Sequence, residues 1–398
     1  MKIKNIILRE IFDSRAESTL EVCLKDEKDR MAAAQIPSGR SLGRGEARVF
    51  KYSEAERILE KVIKKEINGQ NFQNSGELDG FLIKLDGTDD KNILGGNLTL
   101  GISIAFLRLL AMERNKELWQ ILREEFFNNQ ISEKKPAIFS NLINGGAHAD
   151  NNLAIQEYLA VVRSTKSITE SVKKLIALYQ GLEQMLKDMF GVDRLSIGDE
   201  AGYSLNFENN FEPIKILEKL VGGIDLEGGI VLGLDAAASS FAKDSLYEFD
   251  KRQVASDELR EIYEQYFHDS KLLWSIEDPF NEADFNKFKE LTEKFKNKLV
   301  IGDDLTVTNP KLISHFAKAI NGVIIKPNQI GTITETCEAI KVARENDLKV
   351  IVSHRSGETE DNFIIHLAKA SAADGVKIGA PARERIYKFN ELIRVYEG

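Results

Sequence analysis

The chain has 398 residues, 42% of them hydrophobic and 29% charged, an ordinary globular composition. That length exceeds one small core, so two domains are expected, one of them a large α/β barrel. With 54 Lys and Arg against 63 Asp and Glu the net charge is −9, which makes nucleic acid and anionic membrane surfaces poor partners.

The opening MKIKNIILREIFDSR is broken by Lys4, Arg9 and Glu10 before the apolar core of a signal peptide can form. "STLEVCL" and "MAAAQI" flank the polar "KDEKDR", the pattern of a β-hairpin. "PSGRSLGRGEA", residues 37–47, is rich in Gly and Ser, yet Arg44, Gly45 and Glu46 stand where a phosphate loop needs lysine and a hydroxyl; it reads as a turn or a lid. Ser53 and Glu56 form a capping-box pattern ahead of Ile58, Leu59, Val62 and Ile63, and Asn68-Gly69 supplies a stop. Helical patterns follow at about 74–85 and 94–126. Strands followed by helices predict a small α+β domain over 1–130, ending near the polar "NNQISEKKP". The longest apolar stretch, Leu98 to Met112, contains Arg108 and is too short to cross a bilayer. Cys23 and Cys337 lie far apart, outside any CxxC or Cys/His cluster, which suits a reducing compartment and a cytoplasmic protein.

Residues 131–398 change character. Short apolar runs close on polar groups: "LSIGDE" at Glu200, "IVLGLD" at Asp235, "LLWSIED" at Asp278, "LVIGDD" at Asp304, "VIIK" at Lys326 and "VIVSH" at His354, with Lys377 inside "GVKIG". Glu277, Asp303, Lys326, His354 and Lys377 succeed one another at steps of 23–28 residues, one strand plus one helix each. Such units predict a closed parallel (β/α)8-like barrel with its chemistry at the C-terminal strand ends.

Those ends define candidates. One acid alone is best explained by a lysine partner or a helix cap; Asp235, Glu277 and Asp303 on successive strand ends repel one another unless a cation lies among them. All-oxygen ligation suits Mg²⁺ or Mn²⁺. Lys326, crowded by cations that include Lys377, is expected to have a lowered pKa and to act as a general base. Glu200 and Glu157 supply carboxyls for the complementary acid, while His148, His354, Arg355 and Ser356 surround an anion. The set suits removal of a proton next to a carboxylate.

At these residues the chain resembles the enolase family nearly end to end. The resemblance rests on "REIFDSR", "IPSGRS", "LINGGAHADNN", "IQEY", "GDEAGY", "GLDAAASSF", "SIEDPF", "GDDLTVTNP", "IIKPNQIGT", "VSHRSGETED" and "GAPARER". It implies a capping domain, an enolase-type barrel, a homodimer and Mg²⁺-dependent interconversion of 2-phosphoglycerate and phosphoenolpyruvate. By resemblance, Lys326 takes the C2 proton and Glu200, assisted by Glu157 and near His148, protonates the leaving hydroxyl. Asp235, Glu277 and Asp303 hold one Mg²⁺, and Ser41 of the 37–47 lid helps hold a second. Arg355 and Ser356 take the phosphate and Lys377 the carboxylate, with His354 and Gln156 lining the pocket. Arg15 and Glu21 match positions near the dimer contact. The chain departs from the family at Arg40 and Leu42 beside Ser41, at Ala16 and Ala201 where glycine is usual, and by one residue fewer in "PARER". A relative acting on another 2-substituted acid, and a non-catalytic binding protein, remain the alternatives.

Overall fold

Alternating apolar residues set the first sheet. In the computed structural model, which describes the chain apart from residues 40–42, 44, 68, 129–133, 164–165 and 225–227, β1 (Ile3–Phe12), β2 (Ser18–Asp26) and β3 (Met31–Gln35) form an antiparallel sheet in sequence order. The expected hairpin is the β2–β3 pair, with Glu21 opposite Gln35 and Lys25 opposite Met31. Val22, Leu24 and Ala34 turn inward beneath the helix Gly96–Arg114. Among the described residues this is the one helix long and apolar enough to cross a membrane, and 83% of its apolar window is buried inside the protein. Leu98, Ile102, Phe106 and Leu110 fill the core there, each contributing about 1.5–3 kcal/mol as an upper value.

Two boundaries differ from expectation. The pattern at 94–126 is two helices, Gly96–Arg114 and Leu118–Phe126, because Asn115 adopts a left-handed conformation (φ 49°) and ends the first. The helix beginning at Tyr52 has Lys51 at its N-cap with no side-chain cap, so Ser53 lies inside the helix and is not the capping residue.

Eight strands close the barrel: β4 (Ala137–Asn144), β5 (Glu157–Val162), β6 (Ile230–Asp235), β7 (Leu273–Glu277), β8 (Leu299–Gly302), β9 (Gly322–Ile325), β10 (Lys349–Ser353) and β11 (Gly375–Ile378). They pair in that order, and β11 closes on β4 through Gly375 opposite Ala137. The barrel is not wholly parallel: β5 runs antiparallel to both β4 and β6. Nor is "LSIGDE" a barrel strand. Ser196–Ile197 belongs to a two-residue pairing with Tyr203–Ser204 at the edge of β4, and Glu200 sits on the turn between them.

The two sheets meet through polar contacts that converge on the barrel mouth. Arg108, from the long helix, grips Asp361 with both terminal nitrogens at 2.7 and 2.8 Å. Ser38 and Gly357 exchange backbone hydrogen bonds of 2.8 and 3.0 Å. The Ala47 N–H donates to the Gln329 carbonyl at 2.7 Å. The described ends of the 37–47 segment are therefore tied to the loops after β9 and β10. Ser41, Arg40 and Leu42 lie outside the described residues.

Candidate active site

The barrel ring places its reactive groups by strand order. Glu157 opens β5 and Lys326 follows β9, four strands away in either direction, so the two face each other across the mouth. Asp235 ends β6, Glu277 ends β7 and Asp303 follows β8, filling the arc between them. His354 and Arg355 follow β10, and Lys377 lies within β11. These side chains, with Glu46, His148, Gln156, Glu200, Asp278, Asp304 and Ser356, surround a cavity of about 40 Å³; Glu277 lies behind it against Lys377.

Lys377 is fully buried and donates to Asp235 Oδ2 at 2.7 Å and to Glu277 Oε1 and Oε2 at 2.9 and 2.8 Å. Burial opposes its charge, but Asp235, Glu157 and Glu277 together hold its pKa well above the usual lysine range. Lys326 pairs with Asp303. This corrects the expected direction for Lys326. Burial pulls its pKa down, with smaller help from Arg355 and Lys377, yet the contacting Asp303 carboxylate outweighs them and the net shift is upward. Sequence order showed the neighbouring cations but not the ion pair.

The backbone around Lys326 is held by a strained loop. Thr308, a β-branched residue at φ 56°, accepts from the Lys326 N–H at 2.9 Å and donates to Gln329 Oε1 at 2.6 Å. Gln329 Nε2 in turn donates to Asp303 Oδ1 at 3.0 Å. A β-branched side chain in the left-handed region costs on the order of 1–3 kcal/mol, and here the conformation aims a hydroxyl at the lysine's own peptide.

Opposite lies a second cluster. His148 Nδ1 is 3.7 Å from both Glu157 and Glu200, and His354 Nε2 is 3.5 Å from Glu200. Asn141 donates to Glu200 at 3.2 Å. Burial and the adjacent Glu200 push Glu157 well up; burial works the same way on Glu200, but His354 and His148 keep it ionised. Burial holds His354 down at about 4, leaving it neutral at pH 7. Among the described residues, Glu157 Oε2, His148 Nδ1 and His354 Nδ1 are buried without hydrogen-bond partners. Orphaned polar atoms gathered at one cavity are a ligand's signature.

The donor chemistry fits a hard divalent cation. Seven carboxylates line the cavity against three permanent cations, Lys326, Arg355 and Lys377. Burial first, and the neighbouring acids second, raise Asp278 well above its usual range and Asp304 to about 7. Oxygens of Asp278, Asp303 and Asp304 come within 4.8 Å of one another. The Lys377 ammonium, set between Asp235 and Glu277, occupies the kind of place a cation takes.

Two residues given no role in the sequence reading also build the site: Asp278, noted there only as the end of an apolar run, and Arg385. Asp278 accepts from the Asp303 and Asp304 N–H groups at 3.0 and 2.6 Å, clamping β7 to the end of β8. Arg385, wholly buried, donates to the Ser356 carbonyl at 2.6 Å. The doubled acids in "IED" and "GDD" were a signal for the first; nothing local distinguished Arg385.

A capped barrel that opposes Lys326 to the buried carboxyls of Glu157 and Glu200, beside an acid cluster suited to a hard divalent cation, defines an acid–base enzyme of the barrel class. A family model described as "Enolase, C-terminal TIM barrel domain" matches residues 133–398, and one described as "Enolase, N-terminal domain" matches residues 3–122. The chain is 37% identical to the enolase of Mastigamoeba balamuthi, over 99% of this chain and 95% of that protein. It belongs to the enolase family.

Proposed function

We propose that the chain dehydrates 2-phosphoglycerate reversibly to phosphoenolpyruvate, a lyase reaction of glycolysis, and that the barrel mouth carries it. The observation behind this reading is the placement of Lys326 directly across the ring from Glu157 and Glu200. A base on one face of a small acid and a proton donor on the other are what loss of a proton at C2 and of hydroxide at C3 require.

In this reading Lys326 first passes its ammonium proton to water, leaves Asp303, and as the free amine takes the C2 proton. Glu157 and Glu200 share one proton beside His148, and Glu200 delivers it to the departing hydroxyl. Arg355 and Ser356 take the phosphate, while Lys377 takes the carboxylate. His354, neutral and buried, orients Glu200, and Gln156 lines the wall. Asp235, Glu277 and Asp303 would hold Mg²⁺, whose positive charge, when bound, stabilises the charge that develops on the substrate carboxylate as the C2 proton leaves. Ser41, outside the described residues, would help hold a second Mg²⁺, which would supply further positive charge beside the substrate. Residues 1–130 form the cap, with 37–47 as its lid, and 131–398 the barrel. The working protein is a cytoplasmic homodimer, with Arg15 and Glu21 near its contact.

The test is phosphoenolpyruvate formation from 2-phosphoglycerate with Mg²⁺, before and after chelation. Turnover that chelator abolishes and Mg²⁺ restores is expected. Inertness toward 2-phosphoglycerate, with turnover of another 2-substituted acid, would overturn the reading.

A further inference from the structure

Glu46 stands in the place of an incoming anion. Its Oε2 accepts from Arg355 Nη1 and Nη2 at 3.2 and 3.3 Å, a carboxylate set against the end of the guanidinium fork. Both side chains are buried, 3% exposed for Glu46 and 5% for Arg355. The other Glu46 oxygen, Oε1, accepts from the Gly43 N–H at 3.0 Å and from Gln329 Nε2 at 3.3 Å. Asn328 Oδ1 takes Arg355 Nη1 at 3.1 Å, and the Gly39 backbone lies over the guanidinium so closely that a Cβ there would fall 1.7 Å from Nη2. The guanidinium is thus covered on several sides, and its terminal nitrogens serve an internal carboxylate.

Arginine grips carboxylate and phosphate through the same fork, so the two compete for one donor pair. While the contact stands, Glu46 Oε2 holds the Nη1 and Nη2 donors that a phosphate at Arg355 would need. We propose that Glu46 sets the affinity of the phosphate subsite as a built-in competitor. It satisfies Arg355 when no anion is bound, gives way to a phosphate dianion, and returns as product leaves. The proposal rests on the reading of Arg355 as the phosphate residue. Glu46 touches neither the reacting atoms nor the proton path; it acts through Arg355 and is a positioning residue.

Inorganic phosphate, measured as a competitive inhibitor and by direct calorimetric titration of the full chain, is the probe. Glu46→Gln keeps the shape and loses the charge. It should tighten phosphate by roughly fivefold to tenfold and lower KM for 2-phosphoglycerate by a similar factor, with kcat unchanged or lower because product leaves more slowly. Tightening must disappear when Arg355→Gln is added, since a general change in field would persist without the fork. Arg355→Lys replaces Arg355→Gln should the latter fail to melt cooperatively. Phosphate bound equally or more weakly by Glu46→Gln overturns the competitor role, as does tightening that survives in the double variant. Arg355 variants that leave phosphate inhibition unchanged would instead overturn the assignment of Arg355 itself.

Discussion

The two ends of the barrel differ in kind. Near the N-terminal end Phe139, Leu159, Val161, Leu299 and Ile351 make a buried apolar cluster with half-buried Trp274. At the C-terminal mouth, Lys377 and Arg355 are buried and Lys326 half-buried among carboxylates. Backbone strain divides the same way. Val307 (φ 42°) and Thr308 (φ 56°), the β-branched residues in the left-handed region among those described, follow β8 at the mouth. One end is built from transfer free energy that any apolar side chain supplies. The other is built from charges whose burial is costly unless each finds a partner, and whose partners change when a ligand binds.

The largest expected effect is at the mouth. Lys326→Ala should lower turnover by roughly 10³–10⁴-fold and abolish solvent exchange at C2, whereas Glu200→Gln should block dehydration yet retain some exchange. Exchange surviving in Lys326→Ala but lost in Glu200→Gln would reverse the two roles. At the opposite end Leu299→Ala should cost about 2–5 kcal/mol in urea unfolding while the native enzyme keeps its KM and kcat. A selective loss of activity with little change in stability would break the division of labour.

A third measurement joins the two ends through pH. His354 is held at about 4 in the fold, below the roughly 6.5 of an unfolded histidine. The unfolded chain therefore binds the extra proton first as pH falls. Stability tied to His354 is complete above about 6.5 and diminishes toward pH 4, by up to about 3 kcal/mol. His354→Gln should remove that part of the slope in unfolding measured between pH 7 and 4; an unchanged slope would place the loss elsewhere.

The smallest effect concerns two alanines. Ala16 and Ala201 have φ of 59° and 63°, the conformation that glycine adopts without a Cβ penalty. Ala201→Gly and Ala16→Gly should each raise stability by up to about 1 kcal/mol, read as a higher melting temperature. Ala201 adjoins Glu200, so a change in activity on Ala201→Gly, absent from Ala16→Gly, would show strain at the mouth serving catalysis.

Much of this was legible in the residues themselves. Apolar runs ending in Asp235, Glu277, Asp303 and Lys326 announced strand ends with chemistry, because a period of one strand plus one helix survives in sequence. The departures at Ala16 and Ala201 were visible too, and the fold shows them as positive-φ alanines. "AIFSNLIN" and "EYLAVV", two of the eight barrel strands, escaped the reading of strand ends, while "LSIGDE" imitated one; short buried runs carry no periodicity that separates them.

What the sequence determined by itself is the inventory: which strand ends carry acids, where the lysines fall, and the family whose motifs they make. Tertiary structure alone decided the pairings. The reversal of β5 sets Glu157 across from Lys326, and Lys377 lies between Asp235 and Glu277. Glu46, some three hundred residues before Arg355, occupies its fork. Patterning and propensity act over a few residues of chain and can be read from it. Charge–charge energies depend on separation and burial in space, which is why Lys326 was expected to lose its proton easily and is instead held charged by Asp303.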